Sequence, residues 1–464
     1  MATNKLTGRI AQVMAHVRTQ IDTRAWVAGT RLPSVRAQAK HLQVSVSTVA
    51  EAYERLVAEG LILAKAGSGY YVLGTAAPLA LMQTGSAQER AIDPLWISRQ
   101  ALDAEEQLLR PGCGWLPPQW LFEDGMRRAL RALARDDAAS LSEYGTPLGL
   151  PALRSLIARR LNSTGLEVSP EQVMLTESGT QAIDLICRFF LQAGDVVLVD
   201  DPCYFNFHAL LKAHRVKVVG VAYTEHGPDL EAFQAALSEH KPRLYITNSG
   251  IHNPTGASLS PVLAHRLLKL IDGSDMVVVE DDIYAEFELT PAARLSVFDG
   301  LERVIQIGSF SKTLSASVRV GYVAAKPEWV DGLVDLKIAT SFAGSRMAQT
   351  LVWHALTDSA YRKHLDTMRV RLAQAMQTVL PKLAALGIEP LVLPQAGMFV
   401  WCRLPAGFDA GQVAQACLQQ GVVLAPGNAF SLSQQAADCL RFNVAQCWDE
   451  KIFTVLAEVL AASA

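Results

Sequence analysis

The 464-residue sequence predicts an α/β fold: a small helical head that ends in a hairpin, then a large body with a mostly parallel seven-stranded sheet and a smaller C-terminal lobe. Two patterns predict it. The first 75 residues show three helical segments and two short strands, and the rest alternates short apolar runs with longer helical patterns. Half of the residues are hydrophobic and 19% are charged, which excludes a disordered or fibrous chain.

The head begins with three predicted helices. The first 21 residues carry apolar side chains at three- and four-residue steps, as an amphipathic helix does. Ser34 is placed to cap a second helix, and Ser45 or Ser47 a third, which ends at Gly60. A short turn separates the last two helices, so the sequence predicts a helix-turn-helix.

A hairpin is predicted after the third helix, from Leu61–Lys65 and Gly69–Leu73 around a Gly-Ser turn. Together these elements form a winged helix-turn-helix, which presents one helix to the DNA major groove. Residues 1–75 carry a net charge of +5, although the whole chain carries −3. A basic head on an acidic body is expected when only the head meets a polyanion. We therefore expect a DNA-binding domain over residues 1–75; a winged helix that mediates only protein contacts is the alternative.

A stretch rich in small residues without sustained periodicity predicts a linker over residues 76–98. The body is then residues 99–464. Its predicted strands are the seven apolar runs Val173–Leu175, Val196–Val199, Val216–Val221, Leu244–Ile246, Met276–Val279, Val304–Ile307 and Gly321–Ala324. Strands that alternate with helices indicate a doubly wound sheet, and the region from about Leu365 predicts the smaller lobe.

Residues that can take part in catalysis or cofactor binding follow two of these strands, at the strand ends where α/β sheets bind ligands. Lys312 lies among serines, and Arg319 follows seven residues later. An amine beside phosphate-binding groups is the arrangement that captures a phosphorylated aldehyde, although a lone lysine here is usually a solvated residue. Asp281 can hold a heterocyclic nitrogen protonated, and a helix N-cap is its alternative role.

Three further segments follow strands in the same way. Asn253 can hydrogen-bond a ring hydroxyl, but Asn-Pro-Thr-Gly also makes a turn. Ser178–Gln181 opens a helix whose free amides can hold an anion, as many helices do. Tyr204 offers an aromatic face for stacking or belongs to the core. Each feature alone is ambiguous, and their order along the chain favours a cofactor site.

Seven scattered cysteines without a CxxC pair predict neither disulfides nor a zinc site and indicate a reducing cytoplasm. There is no apolar run of 18 residues and no apolar block near the N-terminus, so we expect no membrane span and no secretion signal. The expected location is cytoplasmic, with no metal.

The string LPSVRAQAKHLQVSVSTVAEAYERLVAEGLILAKAGSGYYV resembles the GntR family of bacterial transcription regulators over nearly all of the first 75 residues. The resemblance implies DNA contacts at six positions: Arg36, Ser45, Ser47, Thr48, Gly67 and Gly69. Val46 stands where the family often has Arg.

From about Gly112 onward the chain resembles the fold-type I aminotransferases, which implies pyridoxal 5′-phosphate as cofactor. Lys312 matches the lysine that forms a Schiff base with it, and Arg441, in LRFNVA, the arginine that grips a substrate carboxylate. The other matched positions are Asp281 at the pyridine nitrogen, Asn253 and Tyr284 at the ring hydroxyl, Tyr204 for stacking, Gly179, Thr180, Gln181, Ser309, Ser311 and Arg319 around the phosphate, and Tyr144 toward the partner subunit's cofactor.

The combination resembles the MocR subfamily of regulators. It implies a homodimer, head-to-tail, that binds operator DNA and senses pyridoxal phosphate, an amino acid or an amine. An aminotransferase with a DNA-binding head is the alternative, because the matched residues include Lys312, Asp281 and Arg441. A sensor of the cofactor alone is a third reading, against which Arg441 argues.

Overall fold

The computed structural model describes residues 8–22, 26, 29–65, 67–73, 102, 108–136 and 139–463. The chain forms two compact units, Met1–Thr84 and Gly85–Ala464. The predicted linker over residues 76–98 lies outside the described residues, and the domain boundaries at 75 and 99 therefore stay predictions.

The head consists of α1 (Arg9–Asp22), α2 (Val35–Leu42), α3 (Val46–Ala58), β1 (Ile62–Lys65) and β2 (Gly69–Val72). Both predicted caps are confirmed: Ser34 Oγ accepts from the Ala37 amide at 3.2 Å, and Ser45, rather than Ser47, caps α3 by accepting from the Thr48 amide at 3.1 Å. The two strands pair antiparallel as the wing hairpin. Val13, Val17, Val49, Tyr53, Leu56 and Ile62 bury the apolar faces of these elements in one core.

The body is built on a sheet in which all seven predicted strands are confirmed. The strands are β3 (Val173–Thr176), β4 (Val196–Asp201), β5 (Lys217–Thr224), β6 (Gly227–Pro228), β7 (Leu244–Thr247), β8 (Val277–Asp281), β9 (Val304–Ser309) and β10 (Gly321–Ala324), in the order β3-β10-β9-β8-β7-β4-β5-β6. β4, β5, β7, β8 and β9 are parallel, and β10 is antiparallel to both of its neighbours. The eighth strand, β6, has only two residues, too few to give a pattern in the sequence.

Helices cover this sheet and form much of the smaller lobe. They are α4 (Glu123–Leu133), α5 (Ala139–Ser142), α6 (Pro151–Asn162), α7 (Gly179–Phe190), α8 (Phe205–Ala213), α9 (Leu230–His240), α10 (Pro261–Ile271), α11 (Leu295–Asp299), α12 (Pro327–Ser341), α13 (Arg346–Thr357), α14 (Tyr361–Ala384), α15 (Ala410–Gln419) and α16 (Glu450–Ser463). The lobe adds an antiparallel sheet of β11 (Glu389–Pro390), β12 (Phe399–Arg403), β13 (Ala425–Pro426) and β14 (Cys439–Asn443). Its predicted start, Leu365, falls inside α14.

None of the described helices is long and apolar enough to cross a membrane. All seven cysteines are buried free thiols.

Strand ends position the site. β8 ends at Asp281 and β9 at Ser309, so both strands extend two residues beyond their predicted apolar runs and carry these polar residues as their last members. In the parallel register Asp281 lies opposite Ile307, and Thr247 opposite Glu280. The carboxyl ends of the strands therefore open onto one edge of the sheet.

A buried lysine joins this edge to the loop before α6. Lys337 of α12 is fully buried, and its Nζ donates to the carbonyls of Pro147 at 2.6 Å and Leu175 at 2.8 Å. Burial lowers its pKa to about 8, whereas an unburied lysine has a pKa near 10.5. The unfolded chain therefore binds more protons than the folded one between these two pH values.

We predict that the contribution of Lys337 to the free energy of unfolding rises between pH 8 and pH 10.5, by at most about 3 kcal/mol. In Lys337→Met, which keeps the volume without the charge, this rise should be absent. Denaturant unfolding of the body at pH 7.5 and pH 10 measures it. Lys326→Met is the control, and a Lys337→Met protein that keeps the wild-type pH dependence would contradict the assignment.

Candidate functional site

A cavity of about 140 Å³ opens at the carboxyl ends of the strands. Its lining includes polar and aromatic residues that the sequence predicted for a cofactor site and further residues that the sequence did not predict. The lining residues are Ser178, Gly179, Thr180, Ile183, Tyr204, Asn206, Phe207, Leu210, Asn248, Asn253, Asp281, Ile283, Tyr284, Ser311, Lys312 and Arg319. The structure therefore brings together nine of the residues predicted for the cofactor: Gly179, Thr180, Tyr204, Asn253, Asp281, Tyr284, Ser311, Lys312 and Arg319.

Lys312 lies in the turn after β9 and reaches into the cavity. Its Nζ donates to the carbonyl of Gly114 at 2.8 Å. Burial, and then the positive charge of Arg441, lower its pKa to about 8. A lysine with such a pKa supplies more of the unprotonated amine at neutral pH, which is the form that attacks a carbonyl carbon.

Asp281 faces the same cavity and is 8% exposed. Its Oδ1 accepts from the Ile283 amide at 3.2 Å, and its own carbonyl accepts from Asn248 Nδ2 at 3.0 Å. Burial raises the pKa of its carboxyl to about 7. A buried carboxyl of this kind favours a cationic partner, because a nearby positive charge stabilises its ionised form.

Other residues that line the cavity are suited to an anion. Ser178 caps α7, so the amides of Gly179 and Thr180 belong to a first helical turn, where amides have no intrahelical acceptor. Ser311 and Arg319 line the same cavity and add a hydroxyl and a guanidinium. Amides, a hydroxyl and a guanidinium are the groups that hold phosphate.

Three residues predicted for the cofactor are not among those that line the cavity, and neither is Arg441, which is described below. Ser309 Oγ lies 3.1 Å from the Oγ of Ser311, which does line the cavity, so Ser309 is connected to the site through Ser311. Gln181 Oε1 accepts from the Glu177 backbone amide at 2.7 Å, and the backbone amide of Gln181 donates to Ser178 Oγ, so Gln181 belongs to the helix cap. Tyr144 is 80% exposed and touches Phe342.

Arg441, from β14, is 1% exposed and lies between the rings of Phe399 and Phe430, 4.3 and 4.8 Å from their centroids. Its Nη1 donates to Asn253 Oδ1 at 2.8 Å and its Nη2 to the carbonyl of Gly112 at 2.7 Å. Its Nε has no hydrogen-bond partner among the described residues. Burial lowers its pKa to about 10. A buried guanidinium without a paired carboxylate in the described chain favours an anionic ligand.

Asn253 joins the two lobes at this point. Besides accepting from Arg441, it donates through Nδ2 to the Tyr284 hydroxyl at 3.3 Å. Arg441 belongs to the smaller lobe, and Asn253 and Tyr284 to loops at the edge of the large sheet. The Asn253 side chain therefore links Arg441, which is predicted to bind a carboxylate, to Tyr284, which like Asn253 is predicted to bind the ring hydroxyl.

Sequence reasoning missed Asn248, Ile283 and the role of Gly114. Asn248 comes directly after β7, in the same position relative to its strand as other predicted residues, and this signal could have identified it. Gly114 contributes a carbonyl oxygen, for which a sequence has no signal.

In the head, all six predicted DNA-contacting residues lie on α2, on α3 and its cap, or on the wing. Arg36, Ser45 and Ser47 are exposed, and Thr48 is partly so. Ser45 Oγ lies 2.9 Å from Ser47 Oγ and 2.7 Å from Thr48 Oγ1, which makes a cluster of hydroxyls at the start of α3. Gly67 and Gly69 have φ of +70° and +102° at the wing tip, a backbone that a side chain would strain.

Known proteins resemble both parts of the chain. The model of the bacterial regulatory proteins of the gntR family matches residues 9–72, and that of the aminotransferases of class I and II matches residues 119–459. YdcR of Escherichia coli (strain K12), described as an uncharacterized HTH-type transcriptional regulator, is 29% identical over 454 residues, covering 95% of this chain and 96% of its own. The 2-aminoadipate transaminase of Thermus thermophilus is 32% identical over 351 residues, which cover 72% of this chain and 86% of the transaminase.

Among solved structures, LysN, the α-aminoadipate aminotransferase of Thermus thermophilus, complexed with N-(5′-phosphopyridoxyl)-L-leucine, aligns with a TM-score of 0.70 at 28% identity, covering 79% of this chain and 94% of LysN. An archaeal alanine:glyoxylate aminotransferase aligns with a TM-score of 0.73 at 25% identity, covering 82% and 96%. By its body the chain therefore belongs to the class I and II aminotransferase family, and it carries a GntR helix-turn-helix head, the domain arrangement of MocR-like transcription regulators.

Proposed function

We propose that this chain is a transcription regulator that binds operator DNA through its head, binds pyridoxal phosphate in the cavity of its body, and changes its DNA binding when the body takes up an amino compound. One observation carries the proposal. Nine residues of the predicted cofactor site line one cavity around Lys312, on the same chain as a winged helix with exposed Arg36 and hydroxyls at the start of α3. Transamination has no use for such a head.

The residues present fit pyridoxal phosphate. Lys312, with its lowered pKa, would hold the aldehyde carbon, and Asp281 would sit at the pyridine nitrogen, whose positive charge would keep that carboxyl ionised. The first-turn amides of α7 with Ser311 and Arg319 would hold the phosphate. Bound in this way, the cofactor supplies an electrophilic carbon and an electron-withdrawing ring.

The amino compound would carry a carboxylate. Arg441 is buried near Lys312, and its Nε has no partner in the described chain, so it can bind an anionic group beside the amine. Because Lys312 would hold the aldehyde carbon and Arg441 would bind the carboxylate, their proximity favours a ligand whose amino group and carboxylate lie close together. A sensor of the cofactor alone would not need Arg441.

The proposed assembly is a head-to-tail homodimer in the cytoplasm. Tyr144, 80% exposed beside Phe342, supports it, because an exposed large aromatic side chain is available for contact with a partner subunit.

The second candidate function is a working aminotransferase. The intact trio of Lys312, Asp281 and Arg441 favours it. The two functions differ in what happens to the amine after capture, not in the residues that capture it.

Lys312→Ala should abolish the absorbance band that bound pyridoxal phosphate acquires, because the variant lacks the amine that attaches it. Circular dichroism should remain that of the wild type. Lys326→Ala is the matched control and should keep the band. An unchanged cofactor spectrum in Lys312→Ala would disprove the assignment of this lysine.

Arg36→Ala should weaken operator binding and reduce the slope of log affinity against log salt by about one, if the guanidinium contacts a phosphate. Fluorescence anisotropy at four salt concentrations measures the slope. Arg127→Ala removes the same charge from the body and should leave the slope unaltered. Equal slopes for the wild type and Arg36→Ala would exclude Arg36 from the DNA site.

Adding amino acids and amines to the cofactor-loaded protein distinguishes a regulator from an aminotransferase. A spectral shift that persists, together with a change in operator affinity, is expected for the regulator. Conversion to the pyridoxamine form that a keto acid reverses would indicate the aminotransferase. Operator affinity that is the same with and without cofactor and amine would refute the regulatory proposal.

A further inference from the structure

A second cavity, of about 720 Å³, lies in the body beside the turn that follows β9. This turn lines both cavities: Ser311 and Lys312 line the first, and Ser309 and Phe310 line the second. The other walls of the second cavity come from α6, from α11 with the segment that precedes it, and from the first turns of α14. Pockets for small organic ligands have volumes of roughly 300–1,000 Å³, so this cavity is large enough to hold one.

Ion pairs fix the walls of the second cavity. The buried Arg294 lies 2.8 Å from Asp282 Oδ1 through its Nε and 2.8 Å from Glu288 Oε2 through its Nη2. Arg160 Nη1 lies 2.8 Å from Glu286 Oε1. All five side chains line the cavity, so it is already formed without a ligand.

Glu286 also connects the second cavity to the turn that carries Lys312. Its Oε2 accepts from Thr313 Oγ1 at 2.5 Å and from the Tyr361 hydroxyl at 2.8 Å. Thr313 directly follows Lys312 and is buried. The wall of the second cavity is therefore held by the same turn that places Lys312 in the first.

The charges of the lining favour an anion. Four arginines and three carboxylates line the cavity, which leaves one positive charge in excess. The three carboxylates are those already paired with Arg160 and Arg294, and Arg369 pairs with Asp366 at 3.0 Å. Arg362 is exposed and forms no ion pair or hydrogen bond with any other residue in the described part of the chain. Its guanidinium is therefore available to an anionic group of a ligand.

The rest of the lining is largely apolar and favours a ring system. Leu289 is 63% exposed and Phe298 is 50% exposed, although both are large apolar side chains. Such side chains clustered at a cavity often mark a ligand site. Aromatic rings prefer to pack against other rings, and the lining contains four of them, from Phe298, Phe310, Tyr322 and Tyr361.

Tyr322 adds a polar group among these rings. It pairs with Gly308 across β10 and β9, and a Cβ on Gly308 would lie 2.5 Å from the Tyr322 hydroxyl oxygen. A glycine at position 308 therefore makes room for this ring. Within the described residues the Tyr322 hydroxyl has no hydrogen-bond partner, so it can donate to a ligand or accept from one.

We propose that the second cavity binds an organic anion that carries aromatic rings, with its anionic group paired to Arg362 and its rings packed against the apolar and aromatic lining. The site goes beyond the proposed function, because it takes neither the cofactor nor the amino compound. It gives the body a second ligand, held next to the turn of Lys312.

Two fluorescent probes test the charge preference on the full-length protein loaded with pyridoxal phosphate. 8-Anilinonaphthalene-1-sulfonate is an aromatic anion, and N-phenyl-1-naphthylamine has the same rings without the charge. Arg362→Ala should weaken sulfonate binding about fivefold and binding of the neutral probe less than about twofold, because only the sulfonate loses an ion pair. Arg266→Ala removes an exposed arginine outside the cavity lining and should change neither affinity. Equal effects of Arg362→Ala on both probes, or none, would overturn the proposal.

Filling the cavity tests where the probes bind. Ala293→Trp places a large ring in the cavity wall and should weaken the binding of both probes at least about tenfold. Ser163→Trp, at an exposed position of the same wall, serves if Ala293→Trp does not fold. Wild-type affinity for both probes in the folded Trp variant would place the probes elsewhere and refute the proposal.

The cofactor distinguishes the two cavities. Sulfonate affinity should agree within about twofold with and without pyridoxal phosphate, because ligands of separate sites do not compete. Displacement of the probe by the cofactor would place it in the first cavity and contradict the proposal. Cofactor absorbance and operator affinity, measured on the same variants, test the proposed function separately and should match the wild type.

Discussion

The parallel register of the central strands is the constraint on which the site depends. Because β7, β8 and β9 run in the same direction, their last residues, Thr247, Asp281 and Ser309, meet at one edge of the sheet. The loops that leave this edge carry Asn253 and Lys312. The pairing of these strands below the cavity therefore sets the spacing of its polar groups.

The electrostatics of the cavity follow from burial rather than from ion pairs. Burial lowers the pKa of both Lys312 and Arg441, and the charge of Arg441 lowers that of Lys312 further, whereas burial raises the pKa of Asp281. A molecule that brings negative charge near Lys312 and Arg441 and positive charge near Asp281 would offset both effects. The charges of the site therefore predict those of the ligand that fits it.

Secondary structure and the identity of the site were largely predictable from the sequence. Apolar runs and caps indicated the strands and the helix starts, since both depend on local pattern. What could not be predicted depends on side-chain direction and on backbone atoms. Gln181 turns back to cap its own helix, and the carbonyls of Gly112 and Gly114 belong to no residue type. The linker and subunit arrangement stay predictions, because local patterns do not encode the path of a chain without periodicity.

The pKa of Lys312 has a consequence for time as well as for affinity. At neutral pH a lysine with a pKa of about 8 is unprotonated in about one molecule in ten, whereas an ordinary surface lysine is so in fewer than about one in a thousand. The rate at which the amine of Lys312 would capture an aldehyde scales with that fraction. The lowered pKa would therefore let the cavity respond promptly to an aldehyde supply, whereas an ordinary lysine in the same place would respond far more slowly.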